Sequence, residues 1–99
     1  MKTEKDTFLI LSGIRALTGQ ITSSLRSASI ELHDKKVIFK CVFDETASDD
    51  DFELVAIAAA EIIADFPNCS LEEIFQKIDQ PASTNPLKNV LYHRHESNC

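Results

Sequence analysis

The sequence predicts an α+β two-layer sandwich, with two helices on one face of a four-stranded, mostly antiparallel sheet. Three observations carry that expectation. The stretch from Ser48 to Phe66 has the longest helical periodicity in the chain, and the residues between 27 and 43 switch to period two. The resulting order, helix, strand, strand, helix, strand, strand, fills 99 residues, which suits one domain over 1–99 and not two.

The organising helix is expected at about 49–66. Phe52, Val55, Ala56, Ala59, Ile62, Ile63 and Phe66 follow the spacing of a single helical face. Ser48 and Asp51 have the spacing of a capping box, and Asp49, Asp50 and Glu53 put negative charge at the positive end of the helix dipole. Pro67 ends it by disfavouring the α conformation at Phe66.

The first helix is expected at about 6–18, capped by Asp6 and followed by Gly19. Phe8, Ile10, Leu11, Ile14 and Leu17 form its apolar stripe. Gly13 weakens that helix by up to about 1 kcal/mol relative to alanine, and a close approach to a neighbouring backbone would account for it. Strands are expected at about 27–32 and 37–43. In the first, Ala28, Ile30 and Leu32 alternate with Ser27, Ser29 and Glu31, leaving one wet face. The four residues "HDKK" between them favour an antiparallel hairpin.

Residues 70–78 support either a helix or a strand. A strand at about 72–78 is preferred because it gives the last strand, about 89–95, a partner. The intervening "DQPASTNPLK" reads as a loop.

With 43% hydrophobic and 26% charged residues, the composition is that of an ordinary globular chain. No apolar run reaches the roughly 20 residues of a membrane span. Lys2 and Lys5 precede an apolar run, but Glu4, Asp6 and Arg15 interrupt a signal-peptide pattern, so a mature cytoplasmic start is expected. The net charge of −6 speaks against direct nucleic-acid binding and suits a basic partner. Cys41, Cys69 and Cys99 make neither a disulfide framework nor a zinc-site spacing, which favours a reducing compartment.

Catalytic constellations are weak. Glu72 and Glu73, or Asp44, Glu45, Asp49, Asp50 and Asp51, supply carboxylates, but acids clustered at a helix start are explained by capping. His93 and His95 share one strand face near Cys99, with His33 as an unproven addition, and further metal ligands are lacking. Cys41 lies on the strand face of Val37, Phe39 and Phe43, where a small buried hydrophobe is expected and not a nucleophile. No nucleotide-binding or common hydrolase motif occurs, so no catalytic residue, metal or cofactor is assigned. What remains is a surface. Asp49, Asp50, Glu53, Glu61 and Asp65 lie on or near the organising helix with Leu54 among them, an apolar residue inside an acidic patch.

The segments "LTGQITSSLRSASIEL", "KKVIFKCVFDETASDDDFELVAIAAAEIIADFP" and "PLKNVLYHRHE" resemble the immunity proteins of bacterial contact-dependent growth inhibition systems, which are encoded beside polymorphic toxins. The most recognisable pieces are Leu25 and Arg26 entering the first strand, Phe43–Asp44–Glu45 leaving the second, "EIIADFP", and the tyrosine strand with Arg94 and Glu96. The resemblance implies a cytoplasmic, non-enzymatic inhibitor. It would bind the toxic C-terminal domain of its cognate effector, expected to be a nuclease with a basic cleft, in a one-to-one complex. An acidic adaptor, or a subunit of a larger assembly, is the competing expectation.

Overall fold

The structure, a computed structural model, describes residues 4–96. Its elements are α1 (Glu4–Leu17), β1 (Leu25–His33), β2 (Lys36–Phe43), α2 (Asp49–Ala64), β3 (Ser70–Lys77) and β4 (Asn89–His93). The element order is the expected one. The strands form one four-stranded sheet in the order β3-β2-β1-β4.

The sheet is mixed, which corrects the mostly antiparallel expectation. β1 pairs antiparallel with β2 and β4, while β3 runs parallel to β2 from Lys36↔Ser70 to Phe43↔Lys77. The reason is the helix between them: α2 supplies the crossover that a parallel pair needs, returning the chain to the end of the sheet where β2 began. β3 and β4 therefore occupy opposite edges and are not partners.

That separation forces the β3–β4 connection across the sheet. Leu87 N–H donates to Ser29 Oγ at 2.9 Å, Lys88 N–H to Glu31 Oε1 at 3.3 Å, and Lys40 Nζ to the Asn85 carbonyl at 2.6 Å. The segment contains a cis Gln80–Pro81 peptide and a buried Thr84. Ser27 and Ser29, expected on a wet face, are consequently buried.

The hairpin turns through Asp34 and Lys35, with Asp34 in the left-handed region at φ 54°. Asp tolerates that conformation better than most residues. α2 begins with the expected capping box: Asp51 N–H donates to Ser48 Oγ, and Ser48 N–H to the Asp51 carboxylate. Ser24 also donates to that carboxylate at 2.8 Å, tying the helix start to the entry of β1.

The core lies between helices and sheet, around Phe39, Phe43, Ile30, Val37, Val55 and Ile62, all fully buried. Phe52 of α2 packs against Phe43 with ring centroids 4.6 Å apart. On α2, Val55, Ala59 and Ile62 are buried as expected and Phe52, Ile63 and Phe66 half-buried, but Ala58 takes the inward place expected for Ala56, which is exposed.

α1 is turned from its expected face. Leu9, Ser12, Gly13, Ala16 and Leu17 are buried, whereas Phe8, Leu11 and Ile14 are 50%, 60% and 48% exposed. The smaller residues face inward because the helix sits close to the sheet. An ideal Cβ on Gly13 would stand 2.5 Å from Leu91 Cδ1, so the close neighbour is a side chain of β4 and not backbone. Leu91 can rotate its tip away from a methyl group, and alanine is the better helix former, so Gly13→Ala should stay within about 1 kcal/mol of the parent. Gly13→Val should cost about 2–3 kcal/mol by overpacking. Urea denaturation of both variants checks the pair.

Candidate functional site in the helical layer

Four of the residues in the segments that carry the resemblance, Arg26, Asp44, Arg94 and Glu96, meet in space. Arg26 is 3% exposed and forks onto Glu96, with Nε at 2.7 Å from Oε2 and Nη2 at 2.9 Å from Oε1. Its other donors reach the carbonyls of Ile78 at 2.6 Å and Ala82 at 2.9 Å. Arg94 continues the chain of charge, bonding Glu96 at 3.1 Å, Asp44 at 2.7 Å and the Ser23 carbonyl at 2.8 Å. Hydrogen bonding by Arg94, then by Thr46, holds the Asp44 carboxyl at about 2, and hydrogen bonding by Arg26 does the same for Glu96, also at about 2. Every group in this network is satisfied within the chain. Its role is to fasten the crossing segment and the end of β4 to the entry of β1.

The helical layer differs in kind. Asp49, Asp50, Glu53 and Glu61 are exposed and engage in no ion pair among the described residues. Glu53 and Glu61 stand two helical turns apart on one row, and Ile57 between them is 50% exposed. Leu54 is half-buried, so Ile57 is the large apolar residue that stands out within the acidic row. The i, i+4, i+8 spacing of Glu53, Ile57 and Glu61 carried that information in the sequence. Asp65 is the exception among the candidate acids, because its carboxylate accepts from Ser12 Oγ at 2.6 Å and pairs with Arg15. It joins α2 to α1 at one wall of a groove whose other lining includes Ala16, Glu61 and Ala64.

α1 contributes the apolar part of the same layer through Phe8, Leu11 and Ile14. Phe8 leans on Phe66 with ring centroids 5.2 Å apart. Beside that pair lies a cavity of about 440 Å³ lined by Phe8, Leu32, Phe66 and Cys69, with Glu4, Lys5, Asp34, Lys35 and Asn68 around it.

The groups weighed for chemistry do not converge. Cys41 is fully buried, and burial, with the charge of Glu73 second, pushes its thiol up and keeps it neutral. His93 and His95 are exposed, and His33 interacts with Glu31 in a separate place. Cys99 lies outside the described residues. Among the described residues no group of three or more His, Cys, Asp or Glu is placed to hold a metal ion, and no helix is long and apolar enough to cross a membrane.

A two-layer α+β fold whose internal ion pairs are spent on its own architecture, and whose helical layer presents apolar and unpaired acidic side chains, defines a small protein-binding module. No curated protein matches the sequence. The chain belongs to the MafI2 immunity protein family, whose model matches residues 6–96.

Proposed function

We propose that this chain is a cytoplasmic immunity protein of a contact-dependent inhibition system, which neutralises the toxic C-terminal domain of its cognate effector by binding it one-to-one and not by catalysis. The observation that carries the reading is the family match, which spans both helices and all four strands. The toxin is proposed to be a nuclease, whose catalytic cleft must attract phosphate and is therefore basic. Asp49, Asp50, Glu53 and Glu61 support that choice, because they are exposed carboxylates with no ion-pair partner among the described residues. Complementary charge accelerates encounter and rejects wrong partners.

The test is survival of cells expressing the C-terminal domain of the adjacent, larger gene's product, with and without this chain. Rescue together with a co-purifying one-to-one complex supports neutralisation by binding. Toxicity that the chain does not relieve removes the immunity reading. Charge reversal then places the contact: Glu53→Lys with Glu61→Lys should weaken association at least tenfold at low salt and flatten its salt dependence. Unchanged affinity and an unchanged salt slope would take the α2 row out of the interface. Asp65 is left intact in that experiment, because it holds Ser12 and Arg15.

A further inference from the structure

α1 carries large apolar residues on its outward face as well as on its inward one. Asp6, Leu9, Ser12, Gly13, Ala16 and Leu17 are buried, while Phe8, Leu11 and Ile14 are half-exposed on a line of i, i+3, i+6. Single exposed apolar residues are ordinary, but three large ones in a row beside an apolar cavity form a continuous patch. Phe8 belongs to both the row and the cavity, so the two surfaces are one.

We infer that this patch is a docking surface for the toxin domain, in which a bulky apolar side chain of the toxin enters the cavity beside Phe8 and Phe66 while apolar neighbours lie along Leu11 and Ile14. The inference rests on the immunity reading above and adds to it the chemistry of the contact. Area decides the occupant. Three half-exposed side chains offer on the order of 300 Å² per molecule, against the ~800 Å² per partner of a stable interface. A second copy of this chain, packing α1 against α1 about Leu11, would leave most of the required area unmade. A larger partner that also crosses the groove lined by Ser12, Arg15, Ala16 and Glu61 makes up the difference, and a basic side chain of it then faces the exposed Glu61 carboxylate. That arrangement is the usual anatomy of a specific interface, an apolar centre with a charged rim.

Leu11→Glu and Ile14→Glu test the surface without touching the core. The probe is the toxin domain, purified from its co-expressed complex by denaturation and refolded, titrated calorimetrically against each variant. Each substitution should weaken binding by about 30-fold or more and abolish rescue, with melting temperatures within about 3 °C of the parent. Val90→Glu, on an exposed apolar residue of β4, should bind like the parent. As a second measurement, alkylation of Cys69 in a Cys99→Ser background should slow when the complex forms, because the cavity is filled. Parental affinity in the Leu11 and Ile14 variants overturns the docking surface, and an unchanged alkylation rate overturns the anchor in the cavity. A homodimer in the free protein that Leu11→Glu dissolves overturns the assignment to the toxin. If the parent chain itself forms no complex with the toxin domain, the immunity reading fails with it, an outcome distinct from selective loss or retention in the variants.

Discussion

Replacing Arg26 with alanine should lower the melting temperature by roughly 15 °C, the largest effect expected of a single polar substitution in this chain. The residue is 3% exposed and satisfies Glu96 with a two-pronged contact, together with the carbonyls of Ile78 and Ala82. Removing it leaves a mostly buried carboxylate with Arg94 alone, beside two carbonyls that lose their donor. Breaking a buried pair from one side typically costs about 3–5 kcal/mol. Arg26→Lys should recover only part of the loss, because an ammonium keeps the charge but lacks the planar fork. Thermal unfolding followed by circular dichroism reads both variants. A melting temperature of Arg26→Ala within about 3 °C of the parent would show that the network does not fasten the crossing segment.

Acid should unfold the protein through the same network. Asp44 and Glu96 are both held at about 2 in the folded chain, below the ordinary carboxyl values near 4 that they regain on unfolding. The folded state therefore binds fewer protons than the unfolded state between those values. The stabilisation is complete above about pH 5.5 and is lost as pH falls toward 2, by on the order of 3–5 kcal/mol for the two groups together. Urea midpoints at pH 7, 4 and 2.5 measure it. The Asp44→Asn, Glu96→Gln double variant should start less stable at pH 7 and lose less on acidification. A variant with the parent's full acid slope would place the titrating groups elsewhere.

The parts of the fold visible in the sequence were those written in local pattern. α2 declared itself through Ser48, Asp51 and its apolar spacing, and the hairpin through alternation on either side of Asp34 and Lys35. What misled was pattern without context. The stripe of Phe8, Leu11 and Ile14 has ideal helical spacing, yet periodicity reports only that a face is apolar and not what covers it. The parallel entry of β3 was hidden for a related reason: local alternation marks a strand, while its neighbour is decided by the crossover through α2.

The candidate site was legible in part. Asp49, Asp50, Glu53 and Glu61 are exposed where helical geometry puts them, but Asp65 is engaged by Ser12 and Arg15, residues 53 and 50 positions away. Arg26, Asp44, Arg94 and Glu96 belong to the segments that carry the family resemblance, and nothing in their spacing announces that they touch. Arg26 and Glu96 are 70 positions apart, a separation over which a single sequence carries no geometric signal.

The segment from Ile78 to Lys88 also gives the molecule a handedness of use. With extents of 41 × 31 × 20 Å it is a slab with two broad surfaces. One of them has the chain's own backbone laid over its central strands, hydrogen-bonded through Ser29, Glu31 and Lys40. A large, flat partner approaching from that side meets a surface already occupied. The two broad surfaces thus differ in kind, helices on one and an irregular backbone segment on the other, so a partner shaped to one cannot use the same contacts on the other.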